Sequence, residues 1–293
     1  MPRRRPQPPA LPSARPLTAR SFVVDLLSTL RRGSMPVQAL VESAALFGIA
    51  SGSVRVALTR ALADGLVERD ERGRYRLGEA SRAVQERVAA WRRLEARVRP
   101  WSGAWIAVVA TRRPGSGAAR RRSERALRLL GFRELERGLA VRPDNLAGGA
   151  ARVREELVAL GLAPGALVCE LRELDAISEA RARSLWDAKV REASYRRLRR
   201  ALAASARRLP ELPEAQAMVE SFRLGGEALR LLAHDPLLPE PIVAPTEREA
   251  LARAMQRYDA LGRASWSAFL ARHGVLQRSA PADTRDIARG GVA

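Results

Sequence analysis

Apolar positions recur at helical spacing along most of the chain and alternate only in a few short runs. The first periodic stretch covers about residues 19–31, with Phe22, Leu26 and Leu30 on its inner side and Thr18 as N-cap. Gly33 ends it. Pro36 starts a second helix, since its fixed φ suits a first turn, and Val37, Leu40, Val41 and Ala44 give that helix a buried face. Phe47-Gly48-Ile49 turns the chain into a third helix over Ser53–Leu62, capped by Ser51 or Ser53. In this helix Val54, Ala57, Leu58 and Ala61 fall on one face, and Arg55, Val56, Thr59 and Arg60 fall on the other. Leu66-Val67-Glu68-Arg69 and Arg74-Tyr75-Arg76-Leu77 then read as two strands. Asp70-Glu71-Arg72-Gly73 joins them, a turn whose glycine tolerates positive φ. Three helices followed by a basic hairpin predict a winged helix-turn-helix over residues 18–78.

Other stretches obey different patterns. Residues 1–17 are rich in Pro and Arg without apolar periodicity, which predicts a disordered arm. Residues 79–100 read as a basic amphipathic helix with Val84, Val88, Trp91 and Leu94 on one stripe: a linker, part of a dimer interface, or a helix packed on its own domain. Residues 101–172 give strand, helix, two strands, helix and strand, with breaks at Gly131-Phe132 and Pro143-Asp144-Asn145. That order predicts a ferredoxin-like middle domain. Residues 173–272 read as a helical C-terminal domain, with Leu185, Trp186, Tyr195, Leu198 and Leu202 in stripes. The proline-rich run Asp235–Pro241 interrupts it, and a last helix carries Leu251, Met255, Tyr258, Leu261 and Trp266. Residues 273–293 read as a loose tail. The expected class is α+β, mostly helical.

Charge sharpens this outline. The formal net charge is +20 and the sequence pI about 11.6, which favours a polyanionic partner. The first 100 residues hold 19 of the 52 basic and 9 of the 32 acidic side chains, so the surplus is densest around the predicted winged helix. The single cysteine, Cys169, excludes an internal disulfide and lies in an apolar strand-like run, as a core residue would. No apolar run reaches the length of a membrane span, and Asp25 interrupts the segment after Arg3-Arg4-Arg5, so neither a membrane anchor nor a signal peptide is expected. The expected location is the cytoplasm.

The chemistry these residues support is contact with duplex DNA. Arg55 and Arg60 suit bidentate bonding to guanine O6 and N7, although Arg55 also suits a structural brace. Thr59 suits a thymine methyl or a phosphate. Ser53 and Val56 complete the helix face, and Arg72, Arg74 and Arg76 on the hairpin suit backbone phosphates. A homodimer on a palindromic operator is expected, because one such module seldom binds tightly alone. No catalytic, cofactor or metal residues are predicted. His234 and His273 stand apart, and the glycines at 115, 117, 148 and 149 lack a phosphate-loop pattern. Sequence-independent coating of nucleic acid is the alternative that charge alone permits.

Several further motifs, read in order, resemble the PaaX family of bacterial transcriptional regulators. They are Val54–Arg60, Trp101-x-Gly103-x-Trp105, Gly131-Phe132 with Gly138-Leu139, Leu185-Trp186-Asp187 with Tyr195, Glu214-Ala215, and Asp235-Pro236 with Leu238-Pro239. The resemblance spans roughly residues 18–272. It implies a winged helix, a ferredoxin-like domain and a helical domain, in a repressor of aromatic-acid catabolism such as that of phenylacetate, released by an aryl-CoA thioester. The Arg-rich segment 112–122 and the aromatics Trp186, Tyr195 and Trp266 are where such an effector would find cations and an apolar slot. No individual effector residue is assigned. One departure bears on the ligand: Ile242-Val243-Ala244-Pro245-Thr246 replaces the family's Trp-Pro-Gly continuation after Leu238-Pro239. A different effector, or none, is therefore the alternative. Ferredoxin-like domains similar to the middle one include metal-dependent nucleases of CRISPR adaptation. Those place a carboxylate at the end of the first strand, where this chain has Ala110-Thr111.

Overall fold

The computed structural model describes residues 17–30, 33–81, 90–110 and 117–275, which group into two compact units. The expected arm, the loop at 112–116, Val84, Val88 and residues 276–293 lie outside the described residues.

The first unit contains the N-terminal helices. Helix α1 (Ala19–Thr29) begins with a capping box, in which Thr18 and Ser21 satisfy each other's backbone N–H. Its inner side buries Phe22, Val23, Leu26 and Leu27, and Phe22 packs on Phe47 with ring centroids 4.9 Å apart. Helix α2 (Val37–Ala45) starts after Pro36 as expected, but its buried face is Ala39, Leu40, Ser43 and Ala44. Val37 and Val41 are only half-buried. Ser43 turns inward because its hydroxyl is satisfied by the Leu40 carbonyl, 3.1 Å away, so burial leaves no polar group unpaired.

Helix α3 (Ser51–Ala63) buries Val54, Ala57, Leu58 and Ala61, the face that periodicity selects. It starts after Ala50 with no side-chain cap, so neither Ser51 nor Ser53 caps it. Strands β1 (Val67–Arg69) and β2 (Tyr75–Leu77) pair antiparallel, and Met35 adds a single bridge to Tyr75.

The second unit opens with short 3-10 turns at residues 90–93 and 95–97 where one continuous helix is predicted. Extended pairing competes with the helix there. Val98 bridges Leu146, the Arg99 N–H donates to the Asn145 carbonyl, and the Ala147 N–H donates to that of Arg97.

The sheet then forms from β3 (Trp105–Val109), β4 (Arg133–Glu136), β5 (Leu139–Pro143) and β6 (Leu167–Leu171), in the order β4-β5-β3-β6 and antiparallel throughout. Helix α4 (Gly117–Leu129) connects β3 to β4, and α5 (Gly149–Ala159) connects β5 to β6. This is the topology of a split βαβ sandwich.

Helices α6 (Ala176–Arg183) and α7 (Ala188–Arg208) follow, capped by Asp175 and Asp187. The expected boundary at residue 172 is not a boundary in space. Trp105, Ala107 and Val141 of the sheet share one apolar cluster with Ala182, Trp186, Leu238 and Val243. Burial holds the sheet and the helices together as one body.

Helices α8 (Glu214–Ala233) and α9 (Thr246–Arg272) complete the chain, and each contributes residues to both units. Between them the proline-rich loop is pinned by buried polar groups. The Tyr195 hydroxyl donates to Asp235, and Arg142 donates to the carbonyls of Leu130, Pro143 and Pro236.

The last described residues belong to the first unit. Trp266 Nε1 donates to the Met218 carbonyl at 3.2 Å, and Arg272 pairs with Glu214 at 3.2 Å. His273 Nε2 lies 2.9 Å from Glu42, and Val275 is buried. Residues 273–275 are thus tied down, although the pattern marks them as loose. Among the described residues no helix is long and apolar enough to cross a membrane.

Candidate nucleic-acid interface

Two rows of side chains line the outer surface of α3. Ser51, Arg55, Thr59 and Ala63 form one, and Gly52, Val56 and Arg60 the other, each stepping by four residues. All are exposed, Val56 at 51%, and Ser53 is exposed beside them. With a rise of about 1.5 Å per residue, the five residues from Arg55 to Arg60 span roughly 7.5 Å, about two base-pair steps.

Neither the Arg55 nor the Arg60 guanidinium has a hydrogen bond or ion pair among the described residues. A brace role for Arg55 would need such a partner. Thr59 Oγ1 donates to the Arg55 carbonyl at 3.1 Å, which fixes its rotamer and leaves lone pairs and a methyl to meet a ligand. Asp64 sits past the end of the helix but is occupied by Arg20 at 2.7 Å. The face is therefore cationic with an apolar centre.

The hairpin is set by Asp70. Its carboxylate accepts the backbone N–H groups of Arg72 (3.1 Å) and Arg74 (2.8 Å), and Gly73 takes φ +73°. The Arg74 N–H first, and then the Ser34 hydroxyl and the Arg72 N–H, hold the Asp70 carboxyl below its ordinary pKa.

The three hairpin arginines then divide. Arg72 is exposed with no ion pair among the described residues, free to meet a phosphate. Arg74 is not free. Its guanidinium donates to Ser34 Oγ at 3.1 Å, to the Ser34 carbonyl at 3.0 Å and to the Gly274 carbonyl at 3.0 Å. Three donors committed to protein acceptors make it a brace for the wing. Arg76 lies opposite Glu68 in the ladder and pairs with it at 3.1 Å, so its charge is half-cancelled.

Arg69 escapes the sequence reading. Strand alternation puts it on the inner side with Val67, yet at the strand end it is exposed and its guanidinium lies over Gly73. A Cβ on Gly73 would come within 3.0 Å of Arg69 Nη2, so glycine keeps that place open.

Together these features make a convex cationic helix flanked by a short, cross-braced wing. Residues 18–81 match the family model described as PaaX-like protein. This segment, hereafter the PaaX-like domain, is similar to that family. The match covers every residue of the described interface, from Ser53 to Arg76, and carries the coarse reading of a transcriptional regulator. Over more of the chain, the uncharacterized protein Rv0674 from Mycobacterium tuberculosis is similar in structure. It is 26% identical, covers 87% of this chain and 99% of its own, and superposes with a TM-score of 0.58. The α+β, mostly helical fold beyond the PaaX-like domain is therefore shared with a solved protein. No curated protein matches the chain.

Proposed function

We propose that the protein is a sequence-specific regulator that inserts α3 of its PaaX-like domain into the major groove of duplex DNA. The observation that carries this reading is the state of Arg55 and Arg60. Both stand outward on a helix anchored by Val54, Ala57, Leu58 and Ala61, and neither is neutralised by a carboxylate among the described residues. Ser53, Val56 and Thr59 fill the face between and beside them, while Arg69 and Arg72 engage backbone phosphates. Arg76 adds less, because Glu68 competes for it.

The working form is a homodimer on a palindromic operator, in the cytoplasm. It represses a catabolic operon of the aromatic-acid type until an acyl-CoA-class effector binds. A regulator of the same fold without that effector is the second reading, favoured by Ile242–Thr246 standing where the family pattern continues differently; Ile242 and Val243 are buried in the shared core. Catalysis is no part of the proposed role.

The test is a binding titration on the chain's own upstream DNA and on a random duplex, at rising salt. Specific binding holds a ratio of at least about 10³ over the random duplex. Equal affinity for both sequences at every salt concentration overturns the reading.

A further inference from the structure

Away from the PaaX-like domain, three arginines converge where the second unit turns at Gly131. Arg128 lies in the last turn of α4, Arg133 is the first residue of β4, and Arg191 lies in the first turn of α7. The turn between α4 and β4 is rigid. Gly131 takes φ +81°, and a Cβ there would come 2.5 Å from the Pro236 Cβ. Arg142 holds the Leu130 carbonyl, and Trp186 Nε1 donates to the Gly131 carbonyl at 3.2 Å. That last bond ties the start of α7 to the turn and delivers Arg191, five residues on, beside Arg133.

The charges gathered there are poorly compensated. Arg191 is half-buried, and its Nε is buried with no hydrogen-bond partner. Arg133 is half-buried, and its one hydrogen bond goes to the Phe132 carbonyl next to it, at 3.0 Å. Arg128 reaches Glu124 only at 4.0 Å, and Glu124 already bonds Arg120 at 2.8 Å. Burial first, and then the neighbouring Arg191 and Arg128 guanidiniums, push the Arg133 pKa below its ordinary value. Neither Arg133 nor Arg191 pairs with a carboxylate among the described residues. Like charges held together by a fixed backbone, with an orphaned buried donor among them, are stabilised by a multivalent anion. Guanidinium forks suit phosphate oxygens in particular.

We propose that Arg128, Arg133 and Arg191 form a binding site for a phosphate group of a small molecule beside the Gly131 turn. The site is independent of the DNA-reading proposal. Phosphate is favoured over a lone carboxylate because three cations gather at the turn and only Arg128 has a carboxylate within ion-pair reach among the described residues. A small molecule is favoured over duplex backbone because two of the three side chains are half-buried in a turn rather than raised on a ridge.

The probe is inorganic pyrophosphate, titrated calorimetrically into the full chain at low ionic strength. The expected result is saturable binding at one site per chain, weakened at least tenfold in Arg133→Gln and in Arg191→Gln. Arg200→Gln, on an exposed part of α7, leaves it unchanged. Arg133→Lys keeps the charge but loses the fork, and binds more weakly than the parent. Without ligand, Arg133→Gln melts at or above the parent temperature, because it removes like-charge repulsion; pyrophosphate raises the melting temperature of the parent alone. Four results overturn the proposal: no saturable binding, equal weakening by Arg200→Gln, competitive displacement of pyrophosphate by random duplex, or a ligand-free Arg133→Gln that melts well below the parent.

Discussion

Replacing Arg60 or Arg55 with alanine separates base reading from electrostatic adhesion. Each side chain is exposed, and neither guanidinium has a partner among the described residues, so removal leaves no buried group unsatisfied. Stability then changes by no more than about 0.5 kcal/mol. A bidentate arginine–guanine contact discriminates by about 1–3 kcal/mol. The proposed dimer would present each arginine twice, so a single substitution removes about 2–6 kcal/mol of specific binding, a fall of roughly 30-fold to about 10⁴-fold. Affinity for random duplex falls far less. Arg72→Ala behaves differently, lowering both affinities in proportion and reducing the salt slope by about 1 per copy. Fluorescence anisotropy with the upstream operator and a random duplex, across a salt series, reads all three quantities, and thermal melting checks the fold. The reasoning fails if Arg55→Ala and Arg60→Ala lower specific and random affinity by the same factor. It fails equally if either protein melts several degrees below the parent.

Three further outcomes follow from geometry. Arg74→Ala removes three hydrogen bonds, two to Ser34 and one to Gly274, and is expected to cost about 1–3 kcal/mol in urea denaturation, where Arg72→Ala costs almost nothing. Asp70 has a carboxyl pKa lower in the folded than in the unfolded chain, so its contribution is complete above its ordinary value of 3.8 and is lost as pH falls through the lower folded value. Hydrogen exchange at the Arg72 and Arg74 amides therefore accelerates below about pH 4, and Asp70→Asn removes that pH dependence. Gly131→Ala combines a left-handed backbone with a clash against Pro236, and a loss of about 2–4 kcal/mol is expected by thermal or chemical denaturation.

What the chain disclosed in advance depended on how local each cause is. The buried face of α3 is legible because four small aliphatics at helical spacing have one sensible orientation. The βαββαβ order is legible because its turns carry their own glycines and prolines. The α2 face was misassigned because Ser43 solves its polar problem with a carbonyl three residues back, which hydropathy does not register. Over its described part from residue 90 onward, the helix predicted for 79–99 gave way to short 3-10 turns and to pairing with Leu146 and Asn145, partners some fifty residues distant. Among the interface residues, the outward position of Ser53, Arg55, Val56, Thr59 and Arg60 followed from periodicity. The fates of Arg74 and Arg76 did not. Glu68 sits within reach of a sequence argument, as the cross-strand partner of Arg76. Gly274, which Arg74 holds from 200 residues away, does not.

That last bond has a consequence for biosynthesis. Glu42 and Arg74 belong to the early PaaX-like segment, yet their partners His273 and Gly274 come 231 and 200 residues later. The wing is fully braced only after Gly274 has been translated. A chain that stops or is clipped before residue 273 would present the same α3 beside a slackened hairpin.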